Sequence, residues 1–326
     1  MISRRLLRVK ILQVLFAFYK GENDSITNVE KEFFHSVRKS YDLYHYLFLL
    51  LIDLADYAQS RIAANRQKHR PTEEDLNPNT RFVNNKAIDL LRECESLKQY
   101  AAYNKLSWVN YPEFIKKLYQ KISCTDYFKA YMEAPECSFA DDKQLLINIL
   151  NKELDLSEDF EAILEEQSIY WNDDVEFMVS IAVKTIKKLE EDVISSAKML
   201  PMYRNTDDEE FGRRLLRKVI VTHRSNVTLI DEYTKNWDVD RIASMDILIM
   251  EMAITEILEF TSIPVKVSFN EYIEIAKFYS TEQSSNFING VLDKIITALR
   301  RDNKIVKEGR GLVGDNDERL LSVEQE

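Results

Sequence analysis

Between Gly21 and Gly290 the chain carries a single glycine, Gly212, and its 326 residues include only six glycines and six prolines. Against that scarcity of breaking residues, Leu, Ile, Glu and Lys recur in stripes of 3.6-residue period, which predicts an all-α protein. The same scarcity removes a class of chemistry. A dinucleotide fingerprint or a P-loop needs clustered glycines so that backbone can approach phosphate, and no such cluster can be placed here. No cofactor of those classes is expected.

Apolar residues make up 45% of the chain, enough for a substantial core, and the length suits two ordinary domains or one enlarged one. Cys94, Cys124 and Cys137 are odd in number and lack CxxC spacing. They indicate neither a disulfide framework nor a zinc site, and they point to a reducing cytoplasm. His35, His45, His69 and His223 are scattered, none with a second ligand at i+4 in an HExxH-like setting, so no metal is expected. The run Asp207-Asp208-Glu209-Glu210 and the pair Glu271 and Glu274 read as solvated helix faces rather than acid-base machinery. The chain is expected not to be an enzyme. No secretory leader is visible, and the most apolar stretch, Leu47 to Ile52, is too short to span a bilayer, so a soluble protein without a membrane partner is expected.

Helical periodicity predicts segments near 3–20, 26–38 and 41–66, then a polar loop over 67–85. Helices follow near 86–106, 111–133, 141–153, 157–169 and 172–196, and after a break at 201–208 they resume at 209–222, 225–235, 239–260, 269–279 and 282–301. Residues 301–326 are too poor in apolar side chains to fold and read as a mobile tail. Ser268 with Glu271 has the spacing of a reciprocal N-terminal cap, followed by Tyr272, Ile275, Ala276 and Tyr279 at helical steps. Ile288, Val291, Leu292, Ile295, Ile296 and Leu299 form the next stripe, so two amphipathic helices flank a tight polar turn. Aromatics crowd from Tyr100 to Tyr131 around Trp108, Phe114 and Phe128, with Lys116 and Lys117 among them. Such a cluster can stack on bases, but the helical spacing favours a core.

Charge is unevenly spread. The chain has a formal net charge of -11 and a pI near 5.1, which argues against indiscriminate coating of nucleic acid. Residues 1–20 nevertheless hold Arg4, Arg5, Arg8, Lys10 and Lys20, with no acid before Glu22. Leu7, Ile11, Val14, Leu15 and Phe18 in the same segment recur at helical spacing, placing the arginines in the first turns of an inward-packing helix. Cations there oppose the helix dipole, and an anionic partner such as phosphate would reverse that penalty. A solvated terminus is the alternative.

The segment Ile263-Pro264-Val265-Lys266-Val267-Ser268-Phe269-Asn270-Glu271-Tyr272, then Glu274-Ile275-Ala276-Lys277 and Phe287-Ile288-Asn289-Gly290-Val291-Leu292-Asp293-Lys294, resembles the C-terminal signature of the NusB family of bacterial transcription antitermination factors. Phe211, Leu215, Leu216, Asn226, Leu229, Ile230, Asn236 and Trp237, and Arg241 to Glu256, look like the preceding helices in order. Arg4-Arg5-Leu6-Leu7-Arg8 followed by Leu12-Gln13-Val14-Leu15-Phe16 resembles the family's arginine-rich first helix. The resemblance implies a NusB-like helical bundle made of residues 1–40 and 206–300, enlarged by an inserted helical module over 41–205.

What the resemblance implies is recognition without catalysis or cofactor. NusB-like proteins bind a single-stranded boxA element of nascent RNA together with NusE, a ribosomal small-subunit protein. They act through the RNA polymerase elongation complex to promote read-through in ribosomal RNA operons. Relatives occur as monomers and homodimers. Carried over, Arg4, Arg5 and Arg8 become phosphate contacts, Tyr279 and Phe287 stack on unpaired bases, Gln283 hydrogen-bonds a base or phosphate, and Phe16 lines the same surface. Each has a structural alternative: Phe16 and Phe287 as core, Gln283 as a helix-start residue, Gly290 as a close-packing position. Val9, Lys10 and Glu251 depart from the family pattern, Glu251 standing where many relatives carry arginine. Two other readings are an RNA-binding part of an rRNA-modifying system, disfavoured by the missing nucleotide loop, and a helical interaction scaffold in which the insertion does the work.

Overall fold

The computed structural model describes residues 2–21, 25–154, 158–235 and 242–313, without the side chains of Ser195 and Glu282. Among these residues the regular structure is entirely helical, as the glycine-poor, striped sequence requires. The helices are α1 (Arg4–Lys20), α2 (Ile26–Arg66), α3 (Glu73–Leu76), α4 (Lys86–Glu93), α5 (Glu95–Asn104), α6 (Pro112–Cys124) and α7 (Asp126–Glu133). After them come α8 (Phe139–Glu153), α9 (Glu158–Gln167), α10 (Val175–Lys187), α11 (Thr206–Thr234), α12 (Ser244–Glu259), α13 (Val265–Tyr279) and α14 (Glu282–Arg301).

Several boundaries differ from the periodicity. The expected helices 26–38 and 41–66 are one, because Ser40 sits inside α2 with its hydroxyl donating back to the Ser36 carbonyl at 3.1 Å. Likewise 209–222 and 225–235 are one helix, α11, since Asn226 is buried and donates to Thr222 Oγ1 at 3.0 Å and Thr255 Oγ1 at 2.8 Å. Conversely, 111–133 breaks at Thr125, whose hydroxyl accepts from Phe128 N and starts α7. The expected segment 86–106 breaks at Cys94, and helix 172–196 ends at Lys187. The predicted cap at Ser268 is also corrected. α13 begins a turn earlier, at Val265 after Pro264, which leaves Ser268 and Glu271 inside the helix and free for tertiary bonds.

The chain divides into two compact units, Ser36–Met202 and Ile2–His35 together with Tyr203 onward. In the first, α8 packs on α10 and α4, and α6 and α7 pack against α8. Its core is aromatic. Trp108, 1% exposed, stacks on Tyr46 at 4.0 Å and Phe114 at 5.4 Å and donates its indole N–H to Tyr46 O at 3.0 Å. His45 stacks on Tyr100 at 3.9 Å, and burial pushes its pKa down to about 4, so it is a neutral core ring at physiological pH. Trp108, Phe114, Phe128 and Tyr131 of the aromatic cluster are thus core packing, while Tyr103 is exposed.

In the second unit α12 is the central helix. Every residue from Leu248 to Ile257 is buried, and α1, α11, α13 and α14 all pack on it. Gly212 of α11 allows a close approach of α2, since a Cβ there would lie 2.7 Å from Phe33 Cζ. Residues 302–313 were expected to belong to a mobile tail, but they close the end of α12. Lys307 Nζ, buried, donates to Ile257 O at 2.8 Å and Phe260 O at 2.9 Å, satisfying carbonyls left open by the helix end. The rest of that tail lies outside the described residues.

Candidate nucleic-acid interface

The arginine pole is built into the bundle rather than left as a free patch. Arg4 and Arg8 are one turn apart on α1, and both guanidiniums lie over the Phe211 ring of α11, at 4.9 and 5.2 Å. Arg4 Nε also donates to Asp208 at 2.9 Å. Arg8 makes two parallel bonds of 2.7 Å to Glu256 of α12, whose carboxylate is fully buried. The same carboxylate accepts from Ser268 at 2.6 Å and Tyr272 at 2.9 Å, so one buried anion gathers α1, α12 and α13. Burial works against the Arg8 charge, but bonds to Glu256 and its negative charge more than offset this, and its pKa stands above the ordinary arginine value. With 3% exposure and its guanidinium committed to Glu256 and Glu271, Arg8 has no face turned to a phosphate here.

Arg5 differs. It forms a bidentate pair with Glu271 at 2.8 and 2.9 Å, yet half of its side chain is exposed. Arg5, Gln13, Phe16 and Lys20 fall at steps of eight, three and four on one face of α1. Gln13 Nε2 lies 3.3 Å from the Tyr279 hydroxyl, tying this face to the end of α13. Lys20 is exposed, with Nζ 5.8 Å from the Phe16 ring centre and 2.9 Å from Ser244 Oγ.

Of the residues expected to meet RNA, Phe16, Tyr279 and Phe287 are half-buried and Gln283 is exposed in the first turn of α14, where Thr281 supplies the cap. A Cβ at Gly290 would meet nothing within 4 Å, so close packing does not account for that glycine. The sequence reading passed over Phe278, whose ring is 78% exposed beside Tyr279. Its position departs from the buried stripe of Tyr272, Ile275 and Ala276 and lies one turn beyond the half-exposed Glu274.

Past Phe16, α1, α11 and α12 line an open cavity of about 260 Å³. Tyr19 stacks on His223 with ring centres 4.4 Å apart, and His223 Nδ1 lies 2.8 Å from Glu251 Oε2. Burial raises the Glu251 pKa to about 7, the histidine bond pulling it back only in part. The folded state therefore holds this proton more tightly than the unfolded chain. Its stabilising contribution is complete below the ordinary value of 4.5 and is lost as pH rises through about 7. Thermal melts of Glu251→Gln are expected to match the parent near the lower value and to exceed it at pH ~8, by about 1–3 kcal/mol from a shift of this size.

Taken together, the geometry defines a class: an all-helical bundle locked to an arginine-rich first helix by ion pairs, with amide, aromatic and cationic side chains turned outward. The sequence model of the NusB family matches residues 175–297. Curated relatives, each named transcription antitermination protein NusB, include those of Salinibacter ruber, 39% identical over 115 residues covering 35% of this chain and 72% of the relative, and Natranaerobius thermophilus, 37% identical over 115 residues covering 34% and 78%. The chain belongs to the NusB family. No solved structure matches it. The family match starts at Val175, inside the stretch 41–205 read as an insertion, and Arg4, Arg5, Arg8 and Phe16 precede it. Asn236, Trp237 and Arg241, which contributed to the resemblance, lie outside the described residues. Among the described residues no group of three or more His, Cys, Asp or Glu could hold a metal, and no helix is long and apolar enough to cross a membrane.

Proposed function

We propose that this protein is an RNA-binding transcription antitermination factor that holds a boxA-like single strand together with NusE, contacts the RNA polymerase elongation complex indirectly and promotes read-through in ribosomal RNA operons. The family match over residues 175–297 carries the reading. The outer face of α1 supports it, since Arg5, Gln13, Phe16 and Lys20 alternate cation, amide and ring beside Tyr279 and the exposed Gln283. In this reading Arg5 and Lys20 meet phosphates, while Phe16, Phe278, Tyr279 and Phe287 offer rings to unstacked bases. Arg4 and Arg8 position α1 through Phe211, Asp208 and Glu256.

Fluorescence anisotropy with a boxA-like RNA, with and without NusE, tests this. Each phosphate neutralised on a single strand contributes a slope of about -0.7 to log affinity against log salt. Removing Arg5 and Lys20 together is expected to flatten that slope by about 1.4 on the same basis. An unchanged slope and affinity in the double alanine variant would remove both residues from the interface.

A further inference from the structure

The cavity at Phe16, Tyr19 and His223 is lined by polar groups, one of which, the Tyr19 hydroxyl, has no partner among the described residues. Its described lining is Phe16, Tyr19 and Lys20 from α1, His223 and Val227 from α11, and Ser244, Ile247, Leu248 and Glu251 from α12. Glu251 is a buried carboxylate, its side chain 2% exposed, and its only polar side-chain partner among the described residues is His223. The Tyr19 hydroxyl is buried with no hydrogen-bond partner among the described residues. A buried donor left unpaired is unfavourable by about 1–3 kcal/mol relative to a paired one, so a ligand that pairs it gains what the fold forgoes. The remaining walls are rings and aliphatic side chains, with the Ser244 hydroxyl accepting from Lys20, which stands exposed at the rim.

Size restricts the occupant. At about 260 Å³ the cavity falls just below the range of about 300–1,000 Å³ typical of sites for drug-sized ligands, which suits one flat ring system and not a chain of them. We propose that it receives a single unstacked nucleobase of the bound RNA and selects guanine. This rests on the RNA-binding reading and specifies it. Guanine alone presents two adjacent donors, N1–H and the N2 amino group, with an acceptor, O6, beside them. A carboxylate accepts both donors and the tyrosine hydroxyl donates to the acceptor. Adenine and cytosine place an acceptor next to their amino group, and uracil has one donor between two acceptors, so each would set a lone pair against Glu251. The Phe16 ring and the stacked Tyr19–His223 pair supply apolar surface for the base, and Lys20 is placed for the adjoining phosphate.

The test uses the full chain and fluorescein-labelled nonauridylate RNAs whose central residue is uridine, guanosine, inosine or adenosine, at pH ~8 so that Glu251 is ionised. Inosine differs from guanosine only by the missing N2 amino group. Guanosine is expected to bind about tenfold more tightly than inosine, the discrimination typical of one lost partner in a bidentate contact. Glu251→Gln, which keeps the shape but replaces one acceptor by a donor, is expected to erase that ratio. Val227→Phe, which fills the cavity without touching Glu251, is expected to erase it independently, with circular dichroism confirming that each variant is folded. Equal affinity for guanosine and inosine RNAs in the parent protein overturns the proposal while leaving RNA binding intact. So does a ratio that survives in both folded variants. If none of the four RNAs binds, the RNA-binding reading falls and this one falls with it.

Discussion

Arg8→Met is expected to unfold at a much lower urea concentration than the parent, with about 3–5 kcal/mol lost from the second unit. Methionine fills much of the arginine's volume, so the loss is chiefly electrostatic. Glu256 stays fully buried with, among the described residues, only the Ser268 and Tyr272 hydroxyls as donors, and breaking a buried ion pair from one side costs about that much because the stranded charge is uncompensated. Adding Glu256→Gln to Arg8→Met removes the charge while keeping an acceptor for both hydroxyls, and it is expected to recover a good part of the stability. A double variant no more stable than Arg8→Met alone would mean that packing over Phe211, and not charge, dominates at this position. The same pair of variants separates two roles for the arginine-rich helix, since a phosphate contact would change RNA affinity while leaving the urea midpoint in place.

Trp108→Ala is expected to destabilise the Ser36–Met202 unit by about 3–5 kcal/mol, the usual range for removing a fully buried large aromatic. Its indole is 1% exposed, lies between Tyr46 and Phe114, and holds a hydrogen bond to the Tyr46 carbonyl. Truncation leaves a cavity bounded by rings and removes the indole's bond to a carbonyl of α2. Urea unfolding followed by tyrosine fluorescence reports the midpoint. A base-stacking platform would behave in the opposite way, with unchanged stability and weakened RNA binding.

Helix identity was readable because it depends on the apolar period, which is local. Helix ends were less so. Thr125 interrupts a stripe that the apolar residues continue straight across, and its capping bond to Phe128 N depends on one hydroxyl. The stretches 39–40 and 223–224 look like breaks, yet the helix runs through each, Ser40 bonding to its own helix's carbonyl and Asn226, just past the second, to a threonine on α12. At the candidate site, the α13–α14 pair and the turn with Gln283 followed from the spacing of Tyr272, Ile275, Ile288 and Leu292. The use of Ser268 and Glu271 did not. Their i, i+3 spacing fits a cap as well as it fits a helix interior, and only the positions of Glu256 and Arg5 decide between them.

The sequence by itself determined that the chain is helical, that its C-terminal helix pair carries the NusB signature, and that cations gather in the first helix. Whether those cations are free is a different kind of fact. Asp208, Glu256 and Glu271, the carboxylates that take up Arg4, Arg8 and Arg5, lie more than two hundred residues away along the chain, and no local pattern records which carboxylate meets which guanidinium. Tertiary packing decided it, turning Arg4 and Arg8 toward α11 and α12 and leaving Arg5 and Lys20 outward. It also buried Glu251 against His223, beside a tyrosine hydroxyl that has no partner among the described residues.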